Sequence, residues 1–513
     1  MTMTWLDKIK AAMRLSDTDR IQVAWSLASA AYWVVFLWGF WKRGPDVLGA
    51  NAFVYFLLTG WLFVWTMRRQ GVSPQRNWWW LTPLGLIFVS FLIYDNPFLK
   101  IISLLLLPVL VALFYNSAFI ADQKKAFWGV PFIGAVIVRC LKILGSLGPA
   151  GRLHLRLFNT SKNERGIIRR IVLGLVLLLV LAFTVVIPLL SSADVVFAGR
   201  VDFILKWVQN LISTVFVTKL LVALLFSVGT LAVLLTWGKK FDFDGGSDGD
   251  DGKQIDSVVS GIVLGGILAV YLLFLWVQVG QMWIGRLPFD FQETVYLVKS
   301  GFWQLLALSI INIAIYVLTY RKTVPAVQKM LLAFSVASLL LLASAGHRLA
   351  LYVIYYGFSY EKFCAAYTVL FCGILFVWLI SRLLRPHRSD VIKFLAVLFL
   401  WMFAVLTVLP VEQCILRSNV ALAHLEGSHV RIYELTMLSP DVLGTVKNFQ
   451  AEGRLEEVNP AYIESERQRL SETGKADGTG SGSNWQPWIQ ARKAGIESKK
   501  WYERTLVDWF SGH

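Results

Sequence analysis

Apolar residues in this chain fall in long, nearly uninterrupted runs, and eleven such runs lie between Ile21 and Leu409. The run at 171–190, IVLGLVLLLVLAFTVVIPLL, carries no charge at all. A helix needs about 20 mostly apolar residues to cross a hydrocarbon core roughly 30 Å thick. An amphipathic helix of a soluble protein would place polar residues at helical spacing inside each run, and the longest runs lack them. The pattern predicts spans at 21–41, 47–67, 77–94, 97–117, 169–190, 211–237, 257–282, 302–320, 326–345, 361–381 and 392–410. The expected fold class is all-α: a polytopic transmembrane helical bundle of about eleven spans with a small exported α-rich C-terminal tail.

Three stretches break the pattern. The segment 118–168 is too long for a bare loop. Its part 128–147 is apolar but holds Arg139 and Lys142, which predicts an interfacial helix on the inner leaflet, with a re-entrant segment as the alternative. The acidic, Gly-rich stretch 241–256, FDFDGGSDGDDGKQID, reads as a linker and lacks the spacing and closing Glu of an EF-hand loop. From Pro410 the apolar runs stop, and residues 411–513 hold 12 Lys/Arg and 14 Asp/Glu. The chain therefore divides into a cytoplasmic N-terminal segment 1–20, a four-helix membrane region 21–117, a cytoplasmic interfacial segment 118–168, a seven-helix membrane region 169–410 and a periplasmic soluble tail 411–513. A last helix near 484–509 carries Trp485, Trp488, Trp501 and Trp509, able either to seal a small core or to rest on the outer leaflet.

The composition agrees with lipid as solvent. Only 16% of the residues are charged, against about 25% in soluble domains. The formal net charge of +16 sits in short loops on alternate sides of the runs, which positive-inside bias explains without nucleic acid. Ten basic residues lie between Lys124 and Arg170, whereas the opposite loops hold one or two each, such as Lys42 with Arg43, or Lys100. This asymmetry predicts a cytoplasmic N-terminus and an exported C-terminus. The basic inner segment faces anionic lipid head groups. The four cysteines show no metal spacing and no disulfide framework; Cys364 with Cys414 is the one pair that could meet on the outer side. No cofactor is implied.

Several segments resemble a bacterial family of polytopic inner-membrane proteins known only as a domain of unknown function. They are LLSSADVVF at 189–197, GFWQL at 301–305, HRLALYVIYYGFSYEKFCAAY at 347–367, Asn419 with LSPD at 438–441, and NWQPWIQARKAG at 484–495. Together they cover roughly 185–495. The chain departs from the family pattern at Val195, where Pro is usual, and at Glu361 and Lys362, where a Leu-Arg pair is usual. The resemblance implies an architecture and a multi-pass place in the bacterial cytoplasmic membrane, and it carries no chemistry.

The motif residues fall at one end of the expected bundle. Asp194, Arg200, Arg286, Glu293, His347, Arg348, Tyr356 and Asn419 form a candidate polar cluster on the outer face, with Asp194 expected to pair with Arg200, Arg286 or Arg348. Structural capping and pairing is the competing role for the same residues. Lys219 is the clearest intramembrane charge, either functional or snorkelling to the interface. Gln278, Gln281, Gln304 and Asn312 are expected to bond between helices. No acid lies at the centre of a span, and no Walker, HExxH, GxSxG or Rossmann sequence occurs. The expected function is a non-enzymatic envelope protein, a sensor, scaffold or regulatory partner reaching another envelope protein through its tail. A transporter or lipid-handling protein is the alternative. A membrane-embedded transferase is weaker, resting on Asp194 and His347 alone.

Overall fold

A computed structural model describes residues 17–72, 78–120, 130–157, 214–239, 256–282, 307–317, 319–320, 323–385, 391–425, 428, 430, 437–455 and 485–511. Every regular element among them is helical. In chain order these are α1 (Asp17–Tyr32), α2 (Ala50–Arg69), α3 (Trp78–Ile93), α4 (Pro97–Ile120), α5 (Val130–Leu157), α6 (Thr214–Trp237) and α7 (Ser257–Met282). They continue as α8 (Ala307–Val317), α9 (Pro325–Tyr356), α10 (Tyr360–Leu384), α11 (Val391–Val408), α12 (Val411–Ala423), α13 (Leu443–Ala451), α14 (Gln486–Glu497) and α15 (Leu506–Ser511). Nine helices among the described residues are long and apolar enough to cross a membrane, and α3 and α8 are shorter apolar helices. The run at 169–190 and all of the linker but Asp256 lie outside the described residues.

The chain forms two compact units, Met1–Lys42 with Val136–Phe241, and Arg43–Ala135 with Asp242–His513. In the first, Val23 of α1, Ala150 of α5 and Leu231 and Ala232 of α6 close a small core. Contacts run in opposite chain order along α5 and α6. Arg139 donates to the Thr236 and Trp237 carbonyls (3.4 and 3.2 Å), Thr236 Oγ1 donates to Ser146 Oγ (2.8 Å), and Ser227 Oγ sits 2.8 Å from His154 Nε2. The segment expected along the inner surface belongs to a 28-residue helix, bonded to α6 through Arg139, Ser146 and His154. Arg139 is 6% exposed. Its guanidinium satisfies the unpaired carbonyls at the negative end of α6, so the charge is bound by protein.

In the second unit, α7, α8, α9 and α10 share a core around Tyr271, Tyr316, Leu331, Phe334 and Phe376. Asn312 of α8 accepts from Tyr271 of α7 (2.7 Å) and donates to Ser338 of α9 (2.8 Å), the interhelical role expected of it. α9 runs for 32 residues, about 48 Å at 1.5 Å per residue. It passes the expected end at 345 by three turns and stops at Gly357, whose positive φ of 71° suits a residue without Cβ.

The tail is packed. Residues from α12, α13 and α14, with Leu438 and Val442, enclose one core with Leu99 of α4. The expected long C-terminal helix is broken into α14, a 3-10 turn at Trp501–Glu503 and α15. This divides the four tryptophans. Trp485 is buried in the core and Trp488 packs on it, while Trp501 and Trp509 are exposed. The segment 456–484 lies outside the described residues.

Candidate functional site

The link between α3 and α4 is three residues, Tyr94, Asp95 and Asn96. Asn96 caps α4: its Oδ1 accepts from the Leu99 N–H (3.0 Å), and Pro97 fills the first helical position, where no N–H is needed. This fixes Asp95 at the helix start, 2% exposed. An ionised carboxylate is costly to bury without a cationic partner or several hydrogen bonds, and Asp95 has two cations. Lys100, one turn into α4, donates to Oδ1 at 2.7 Å, and Lys499 from the end of the tail donates to Oδ2. Lys499 also donates to Asp508 at 3.0 Å. Asp508 in turn caps α15, accepting the Thr505 N–H (2.9 Å) while its own N–H meets Thr505 Oγ1 (3.2 Å). Burial alone would lower the lysine's affinity for its proton, but the Asp95 and Asp508 carboxylates outweigh that and raise the Lys499 pKa.

Two more acids lie beside this network. Glu412, at the start of α12, accepts from Asn96 Nδ2 (2.8 Å) and from the Ser439 N–H (2.9 Å) and hydroxyl. Asp441 Oδ1 accepts the Asp95 N–H at 2.7 Å. Burial raises the pKa of both carboxyls, that of Asp441 well above its ordinary value. At Asp441, 5% exposed, the Asp95 and Glu412 charges push it further. Asn96 Nδ2 also donates to the Tyr360 hydroxyl (2.7 Å), so one asparagine ties α4, α10 and α12 together. The LSPD motif supplies this site through Ser439 and Asp441.

A second approach brings the chain before α2 against the tail. Arg43 holds Glu503 through Nη2 at 2.6 and 2.7 Å, and the Ala50 N–H donates to the Arg504 carbonyl (3.3 Å). A Cβ on Gly49 would come within 2.3 Å of the Glu503 carbonyl oxygen, so only glycine lets the two backbones meet. Asp46 lies on the 3-10 turn between them. Its carboxyl pKa is raised, by partial burial first and by Asp95 second, partly offset by Lys499, Lys100 and Arg492.

These segments enclose a cavity of ≈ 520 Å³. Arg43, Asp46, Asp95, Asn96, Phe98, Tyr360, Glu412, Ser439, Arg492 and Lys499 are among its lining residues. Both charge signs are present, and the volume is in the range of small-molecule sites. Among the described residues, no group of three or more His, Cys, Asp and Glu is placed to hold a metal ion.

The residues singled out from the sequence stand elsewhere. Asp194, Arg200, Arg286 and Glu293 lie outside the described residues, and so does any pairing of Asp194. His347 and Arg348 sit in the body of α9, more than two turns before its end at Tyr356. Asn419, 3% exposed, is a backbone clamp: it accepts the Phe358 N–H (2.6 Å) and donates to the Phe358 carbonyl (2.8 Å). Lys362 donates to the carbonyls of Tyr356 (3.3 Å) and Gly357 (2.7 Å) and lies 4.3 Å from the Tyr352 ring centre. The cation that closes α9 is thus Lys362. Lys219 of α6 lies 5.5 Å from the Trp38 ring centre, a cation–π contact within the first unit. In that unit Ser26 and Ser227 flank His154 Nε2, and Nδ1 is 3.1 Å from the Ala150 carbonyl. The carbonyl can only accept, so Nδ1–H donates to it. All four cysteines are free, including Cys364 and Cys414.

Sequence reading missed Asp95, Asn96, Glu412, Lys499 and Asp508. The Asp-Asn-Pro punctuation at 95–97 and the Glu at 412, two residues past Pro410, mark chain ends where a charge leaves a span. Asp95 and Lys499 are 404 positions apart, and no local spacing encodes their meeting.

A family model described as Domain of unknown function (DUF4153) matches residues 81–448. No curated protein and no solved structure matches the chain.

Proposed function

The chain belongs to this family, and we propose that it is a sensor or regulatory protein of the bacterial inner membrane whose cavity receives a small polar solute. The observation that supports this reading is the cavity of ≈ 520 Å³, walled by helix starts on one side and the tail on the other. The buried Asp95–Lys499 pair is part of its lining. An occupant that rearranged this pair would change how firmly the tail is held, which is a route from binding to signal. The Lys/Arg asymmetry of the loops supports an exported tail and a cytoplasmic N-terminus.

The test uses the full chain in detergent and the small-molecule filtrate of a cell extract. The filtrate is expected to raise the melting temperature of the wild type and to leave Gly495→Trp unmoved. Gly495 lines the cavity and a Cβ there meets nothing within 4 Å, so the variant is chosen to obstruct the cavity with an indole. No shift, or an equal shift in both proteins, overturns the reading. Lipid handling is the second reading. Phe98, on the first turn of α4, lines the same cavity and is 47% exposed.

A further inference from the structure

The cavity's polar groups differ in whether their charge is already used. Asp95 is held by two lysines, and Glu412 by Asn96 and Ser439. Lys499 is shared between Asp95 and Asp508. Arg492 donates to the Leu438 carbonyl (2.9 Å) and lies 5.4 Å from the Trp488 ring centre. Two groups remain. Arg43 spends only Nη2, on Glu503, and its Nε and Nη1 make no hydrogen bond among the described residues. The anchor is firm, because the Glu503 side chain is 3% exposed while that of Arg43 is 39% exposed. Asp46, three residues on, makes no hydrogen bond or ion pair among the described residues, and both residues line the cavity. A planar guanidinium with unused N–H groups matches an oxyanion. A carboxylate lining the same cavity matches a primary ammonium.

We propose that this cavity binds a zwitterion, a ligand with a primary ammonium and a carboxylate or phosphate a few bonds apart, read by Asp46 and Arg43. The inference rests on the solute-receiving reading above and narrows it. A simple anion would answer Arg43 but face the Asp46 carboxylate. A simple cation would answer Asp46 but face Arg43. Like charges brought together in a half-dry site oppose binding, and only a ligand with both signs satisfies both groups. Two sources share this chemistry, a free amino-acid-like solute and the ethanolamine-phosphate head group of a lipid.

The experiment measures the melting temperature of the full chain in detergent with glycine, glycylglycine or O-phosphoethanolamine, and with the half-ligands acetate, inorganic phosphate and ethanolamine. In parallel, the chain in phosphatidylethanolamine nanodiscs is compared with the chain in phosphatidylcholine nanodiscs, whose quaternary ammonium has no N–H. At least one zwitterion is expected to stabilise the protein while the half-ligands do not. A free solute identifies one source, and a phosphatidylethanolamine effect alone identifies the other. Asp46→Asn is expected to leave the ligand-free melting temperature no lower than that of the wild type and to weaken zwitterion binding by at least about tenfold. A half-ligand that works as well as the zwitterion, or an Asp46→Asn protein that binds normally, overturns the proposal. If no zwitterion acts but the extract filtrate does, the ligand class falls and the solute-receiving cavity stands. If neither acts, both fall.

Discussion

Asn419 answers both the N–H and the carbonyl of Phe358, so its replacement strands two backbone groups at once. Asn419→Ala is expected to destabilise the second unit by about 2–3 kcal/mol, read as a lower midpoint in chemical denaturation. Gly357→Ala attacks the same turn from the other side. Its positive φ disfavours a Cβ, which would also lie 2.7 Å from Asn419 Oδ1, and a loss of at least about 1 kcal/mol follows. Asp441 gives a pH dependence whose sign is fixed. Its folded pKa is raised above the unfolded value, so its contribution is fully present below the ordinary carboxylate pKa and is lost as pH rises through the folded value. Melting temperature is therefore expected to fall from mildly acid toward alkaline pH, and Asp441→Asn should flatten that slope. A slope unchanged in the variant assigns the effect to another group. At this scale the sequence was a partial guide. Asn419 and the LSPD motif were legible as polar residues in an apolar setting, but their partners Phe358, Asp95 and Glu412 come from distant segments.

Among the elements, the tail shows how a charge network can fasten helices that share a modest core. Lys499 is the only described cation that bonds both Asp95 and Asp508. Among the described residues, Lys499→Met leaves Asp508 without a cation and Asp95 with Lys100 alone, at an expected cost of about 3–5 kcal/mol. Limited proteolysis should then cut within 485–511 before the bundle, and wild-type resistance in the variant would refute the latch. The same segment ends in exposed aromatics, Trp501, Trp509 and Phe510. The Arg504 carbonyl meets the first turn of α2, and that turn opens a helix long enough to cross a membrane. The exposed rings, with Lys500 and Arg504 beside them, are thus expected at the depth of lipid head groups. A spin label at Phe510→Cys in nanodiscs should be relaxed more by oxygen than by a water-soluble nickel complex, and a label at Lys493→Cys the reverse. Element type was readable wherever apolar runs were long. The break between α14 and α15 was not, because a run of tryptophans gives no sign of which rings a neighbouring helix will cover.

At the scale of the whole chain, hydropathy located the spans because lipid leaves the backbone only one way to pair its polar groups in a helical protein. It did not reveal that 1–42 folds with 136–241, since apolar runs look alike whatever they pack on. Nor did it reveal a cavity between the ends of the runs and the tail, because surface charge and buried charge read the same in one dimension. Family membership adds no activity, so the functional account rests on that cavity. Its most direct test is hydrogen exchange of the full chain with and without the small-molecule filtrate of a cell extract. The account predicts slowed exchange in 94–99, 437–441 and 485–508 together, with no slowing in these segments when Gly495→Trp fills the cavity. Unchanged exchange in all three segments, or slowing that the Trp variant keeps, would contradict it.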